Sequence, residues 1–184
     1  LLLLVELFCL GGLMYDGFMD TCDGVFSARD REKMLEIMKD SHVGANAVLG
    51  LAVLLIFKTA LYVSLDGRFL TFALLLAFTV TRSLMVVYIV GYPYPRANGI
   101  GKMFKEYSQK WYMVVALLFS CVLSLYLGWL YCYAFLITLV LANIITKFLQ
   151  NKLGGLTGDT YGFLTETGFV IYLLGVCFLN KFLS

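Results

Sequence analysis

Three aspartates in the stretch DGFMDTCDG, Asp16, Asp20 and Asp23, are the residues most suited to chemistry in this chain. At 3.6 residues per turn their spacing of four and three places all three on one helical stripe about 60° wide. Like charges so placed repel and weaken a bare helix. The stretch follows the apolar run LLLLVELFCLGGLMY, and a charge at the centre of a membrane helix costs roughly 2.5–3.5 kcal/mol. A divalent cation relieves both penalties, and an all-oxygen ligand set suits Mg²⁺ or Mn²⁺ rather than zinc. Solvated aspartates capping a helix end are the simpler alternative, but three on one stripe beside a transmembrane run favour a metal or phosphate site. Gly17 and Gly24 let substrate or backbone approach closely.

A second group lies in NKLGGLTGDTYGFLTETG. Gly154, Gly155, Gly158 and Gly162 predict a flexible loop, and glycine beside Thr157 and Asp159 suits a backbone cradle for phosphate or a second metal contact. A glycine-rich turn between spans reads equally well. Asp159 and Glu166, seven apart, share a helical face. Between the two groups, SARDREKMLEIMKDSHVG reads as an amphipathic surface helix capped by Ser27, with Met34, Leu35, Ile37 and Met38 as its apolar side. Glu32, Glu36 and Asp40 form a stripe along it, balanced by Arg29, Lys33 and Lys39. Arg82 falls inside an apolar span, where a charge is a functional candidate. Arg96 either meets a phosphate or anchors a loop at the membrane boundary. His42, the one histidine, reads as a surface residue, so no histidine base or triad is expected.

The elements that position these residues follow from composition. Of 184 residues, 61% are hydrophobic and 14% charged, against roughly 25% charged in soluble domains. The chain is therefore an all-α, polytopic membrane bundle of one domain. Apolar stretches predict six spans, at about 1–14, 43–63, 69–91, 111–127, 129–149 and 168–183, with the fourth and fifth separated near Gly128. The first looks truncated: the chain starts without methionine inside an apolar run, so an N-terminal piece is expected to precede it. That run has no basic n-region or cleavage site of a signal peptide. The polar segments 15–42, 92–110 and 147–167 carry ten basic residues and thread to one face, leaving Lys58, Arg68 and Lys181 for the other. The positive-inside rule makes the first face cytoplasmic, in a cell inner membrane, and both acidic groups lie on it. The five cysteines form no metal-binding or disulfide pattern, and there is no Walker loop or nucleic-acid footprint.

Four stretches together resemble the cobalamin synthase family, the adenosylcobinamide-GDP ribazoletransferases. They are GGLMYDGFMDTCDG from Gly11, LEIMKDSHVG from Leu35, YPRANGIG from Tyr94 and GGLTGDTYGFLTETG from Gly154. The resemblance implies a Mg²⁺-dependent transferase. Adenosylcobinamide-GDP and α-ribazole, or its 5′-phosphate, would give adenosylcobalamin or its 5′-phosphate plus GMP. It implies Asp16, Asp20 and Asp23 as metal ligands, with Glu36, Asp40, Asp159 and Glu166 as further metal contacts or the base. Arg82 and Arg96 would face phosphates, alongside Gly155, Thr157 and Gly158. The chain departs from the family pattern at Met14 (usually His), His42 (usually Arg) and Gly168 (usually acidic). A CDP-alcohol phosphatidyltransferase would want Ala-Arg where DGFMDT has none, and an ion-coupled transporter would want its acids inside the spans. Association into a homo-oligomer is left open.

Overall fold

A computed structural model describes residues 1–10, 12–96 and 98–183, without the side chains of Cys9, Leu10 and Leu183. Gly11, which opens the first motif, and Ala97, inside YPRANGIG, lie outside the described residues. All regular elements among those described are helices: α1 (Leu2–Leu10), α2 (Leu13–Val25), α3 (Arg31–Ile37), α4 (Ala45–Ser64), α5 (Gly67–Gly91), α6 (Ile100–Tyr107), α7 (Lys110–Leu127), α8 (Trp129–Leu153) and α9 (Gly158–Leu183).

Five of them, α4, α5, α7, α8 and α9, are long and apolar enough to cross a bilayer, making this a multi-pass membrane protein. The shortest has 18 residues, or about 27 Å at 1.5 Å per residue, close to a hydrocarbon core of about 30 Å. The first predicted span corresponds to a bent pair, Leu2–Phe8 and Leu13–Val25 at 93°, which together are long and apolar enough to count as a sixth, broken span. The aspartate stripe thus lies on a separate short helix, α2. The break at Gly128 is as expected: its φ of 134° is open to glycine but strained for other residues.

Helix α9 is the hub, packing against α2, α4, α5 and α8 and burying Phe169, Tyr172, Leu173 and Val176. In lipid, helices gain little from burying apolar surface against each other, so close approach and polar contacts hold the bundle. Ala73 and Ala77 on α5 are fully buried, and Ser120 on α7 donates to Ser83 on α5 at 2.8 Å. Large apolar side chains such as Val53, Ile56, Leu118 and Phe119 remain exposed on the outer helix faces, where lipid covers them.

The structure corrects four expectations. The last span begins at Gly158 rather than 168, because Thr157 starts the helix there. Thr157 Oγ1 accepts from Thr160 N at 3.3 Å, and Thr157 N donates to Thr160 Oγ1 at 2.8 Å. This reciprocal pair is a capping box with threonine at its third position. It places Gly158 and Gly162 in helix, while Gly154 and Gly155 remain in the turn between α8 and α9. The surface helix α3 is capped by Asp30, which accepts from Lys33 N at 2.9 Å, whereas Ser27 Oγ turns back to Gly24 O. Since α3 ends at Ile37, Asp40 leaves the stripe expected with Glu32 and Glu36. Finally, Lys58 is not on the opposite membrane face but fully buried inside the bundle.

Candidate active site

Glycines set the frame. A Cβ at Gly17 would stand 2.8 Å from the Asp159 carbonyl oxygen, and one at Gly162 would stand 2.7 Å from that of Met14. Real side chains cannot occupy such distances, so these two glycines let α2 and α9 cross almost in contact. That crossing brings the first and last acidic motifs together. A second tie joins the glycine-rich turn to the YPYPR segment: Leu156 N donates to Pro93 O at 2.9 Å, and a Cβ on Gly155 would collide with that oxygen.

Two hollows result. One, about 350 Å³, is lined by Met14, Asp16, Tyr94, Arg96, Asp159 and Tyr161, among others. The other, about 300 Å³, is lined by Asp16, Asp20, Asp23, Lys39, Asp40 and Ser41, among others. Arg96 Nη2 lies 2.8 Å from Asp159 Oδ2, with both side chains largely buried. Nη2 is thus taken up by this ion pair, while the buried Nε of Arg96 has no hydrogen-bond partner among the described residues. Unsatisfied buried guanidinium nitrogens are rare and suit an incoming phosphate oxygen. Gly158, the first residue of α9, lines the same hollow, adding the positive end of a helix dipole.

The predicted residues divide accordingly. Asp16 lines both hollows, and Asp20 has Asp16, Asp159, Arg96 and Asp23 as charged neighbours. Asp23 turns its carboxylate to the start of α4, accepting from Gly44 N at 2.6 Å and Ala47 N at 2.8 Å. It caps that helix from outside the α4 chain segment. Asp40 lines the second hollow, with Oδ1 2.5 Å from His42 Nδ1. This hydrogen bond holds the His42 imidazole above its usual pKa and Asp40 below the usual carboxylate value.

Other predicted residues stand elsewhere. Glu36 pairs with Lys33 at 2.8 Å on the exposed surface and lines neither hollow. Thr157 and Gly155 are buried, the former as the α9 cap, so both shape the site from behind. Glu166 is deeper still: its Oε2 lies 2.7 Å from Lys58 Nζ. Arg82, one turn below Met85 on α5, has Glu166 as a charged neighbour and lines neither hollow.

Sequence reasoning missed Lys39 and Tyr94 at the site, and the buried cluster of Lys58 with Glu6, Glu166 and Tyr15. Lys39 was legible as the residue before Asp40 in a quoted motif. Lys58 was legible as a charge within a predicted span, the same signal that singled out Arg82.

Among the described residues no three His, Cys, Asp or Glu side chains converge to hold a metal. Zinc and all-protein calcium cages are therefore poor fits. Magnesium takes one or two carboxylates and completes its shell with water and substrate phosphate. Asp16 and Asp20, one turn apart beside the hollows, fit that pattern.

Residues 1–177 match the family model described as cobalamin-5-phosphate synthase. The chain belongs to the cobalamin-5-phosphate synthase family. Relatives in this cobalamin-5-phosphate synthase family include a protein of Desulfitobacterium hafniense (strain Y51), 36% identical over 95% of this chain and 71% of its own length. One from Desulforamulus reducens is 41% identical over 89% of this chain and 67% of its length. One from Citrobacter koseri is 36% identical over 94% and 74%. All three are named adenosylcobinamide-GDP ribazoletransferase. No solved structure matches the chain.

Proposed function

We propose that this protein is an adenosylcobinamide-GDP ribazoletransferase acting late in cobalamin biosynthesis. A ribose hydroxyl of α-ribazole, or of its 5′-phosphate, attacks the cobinamide-linked phosphorus of adenosylcobinamide-GDP. The new P–O bond forms, the bond to the GMP phosphate breaks, and GMP leaves.

The observation that carries this reading is the meeting of three motifs distant in sequence. Asp16, Arg96 and Asp159 line one hollow at the end of the bundle where the basic segments gather. Phosphoryl transfer depends mainly on positioning and charge neutralisation. Arg96 and the start of α9 bind phosphate oxygens, while Asp159 holds the guanidinium in place. Asp16 and Asp20 would hold Mg²⁺, which would supply neutralisation of the diphosphate charge. Asp23 fixes α2 against α4 and so orients the other two. The excess of Lys and Arg on the site side supports placing that side in the cytoplasm.

Detergent-solubilised protein should release GMP from adenosylcobinamide-GDP only when α-ribazole and a divalent cation are both present. Asp20→Asn should lower kcat at least a hundredfold. Turnover within a few-fold of the parent would remove Asp20 from the mechanism, and reaction of a CDP-alcohol in place of the cobinamide donor would overturn the function.

A further inference from the structure

The two hollows share a wall. Asp16 and Lys39 line both, yet the chemistry on either side differs. The first is walled by the rings of Tyr94, Tyr161 and Phe104 with Met85 and Ile89 beneath. Its charged groups, Asp16, Lys39, Arg96 and Asp159, include the Arg96–Asp159 pair. The second has no aromatic lining: four aspartates, Ser41 and Lys39 dominate it. Lys39 is the one cation lining that second hollow, is exposed, and makes no ion pair among the described residues.

We propose that the two reactants occupy separate hollows and meet at this wall. The aromatic-walled hollow seats the acceptor, a nucleoside with an apolar aromatic base. The aspartate-lined hollow takes the diphosphate of the donor, with Lys39 at the junction as a phosphate-binding residue. The inference rests on the transferase reading above and assigns its substrates to places.

Three physical arguments carry it. A neutral aromatic base gains by stacking on rings, and rings line only the first hollow. Carboxylates able to hold a charge-neutralising divalent cation beside the diphosphate, Asp16 and Asp20, line the second hollow, while Arg96 and the start of α9 in the first suit the 5′-phosphate of an acceptor nucleotide. Size agrees as well. At about 350 Å³ the first hollow is near the lower end of ligand sites, roughly 300–1,000 Å³. It therefore admits a nucleoside but not the corrinoid half of the donor, which must lie outside it. A ribose standing at the shared wall places its hydroxyl beside Asp16 and toward the second hollow. There its oxygen forms the new bond to phosphorus, GMP leaves with the electron pair of the broken P–O bond, and the hydroxyl proton passes to a carboxylate of the wall.

Steady-state kinetics with each substrate varied in turn test this. Phe104→Ala lies on an exposed part of α6 and should fold. It should raise the KM for α-ribazole about tenfold, the order of one lost base–ring contact, with the donor KM unchanged. Met85→Trp, which fills the same hollow, should act likewise. Lys39→Gln should raise the donor KM about tenfold and leave the acceptor KM within twofold. Interchanged effects, or equal effects on both KM values, overturn the partition while leaving the transferase reading intact. Absence of GMP release by the unmodified protein overturns that reading itself. Photolabelling adds an independent readout: an azido-benzimidazole riboside should mark α5 or α6, and marking of Asp40, Ser41 or Val43, which line the second hollow but not the first, would overturn the assignment.

Discussion

At the scale of single residues, Asp23 shows why a carboxylate near a site need not be a ligand. Both of its oxygens are taken by the amides of Gly44 and Ala47, so its loss leaves donors at the start of α4 unsatisfied. Asp23→Ala should therefore destabilise the protein by about 1–2 kcal/mol, seen as a lower Tm in detergent. Asp20→Ala should leave Tm nearly unchanged while abolishing GMP release. The Asp40–His42 pair makes a separate prediction. Their hydrogen bond raises the His42 pKa and lowers that of Asp40, so the pair is charged on both sides between those values. Its contribution is lost as pH rises through the raised His42 pKa, and again as pH falls through the lowered Asp40 pKa. By NMR, His42 should titrate above an ordinary imidazole, and Asp40→Asn should bring it back down. No change on that substitution would mean the hydrogen bond is absent in solution.

Among elements, the α2–α9 crossing decides whether a site exists. Its closeness depends on Gly17 against the Asp159 backbone and Gly162 against the Met14 backbone, contacts that cannot relax by rotating a side chain. Gly17→Ala should force the helices apart, at a cost of about 1–3 kcal/mol. It should also lower kcat at least tenfold, because Asp16 and Asp159 move relative to each other. Gly67→Ala is the control, since a Cβ there meets nothing within 4 Å. Should Gly17→Ala retain parental kcat, the crossing does not position the acids.

The whole molecule is tied together by charge buried within the bundle. Lys58 on α4 meets Glu6 on α1, Tyr15 on α2 and Glu166 on α9, and Tyr62 Oη donates to Glu6 at 2.8 Å. Four helices thus share one polar cluster, with the Lys58 ammonium 4.4 Å from the Phe169 ring centroid. Lys58→Met would strand two buried carboxylates, and breaking such pairs costs roughly 3–5 kcal/mol. Expression and Tm should fall sharply. Adding Glu6→Gln and Glu166→Gln should restore much of the loss, since neutral amides need no counter-ion. A triple variant no better than Lys58→Met would argue against charge as the cause.

Some of this was determined by the sequence alone. Span length and apolar composition follow from bilayer thickness, so the five crossing helices and the break at Gly128 were legible. The aspartate stripe was legible because the helical period is local, and the family because its motifs are contiguous words. Contacts between distant segments were not legible. Periodicity says that Asp16, Asp20 and Asp23 share a face, but not that Asp23 would be drawn to the amides of α4. Nor does it say that Glu166, on one face with Asp159, would lie beside Lys58 instead of substrate. Those outcomes depend on how closely α2, α4 and α9 pack. That closeness is set by glycines whose neighbours lie far along the chain, and only the tertiary structure decides it.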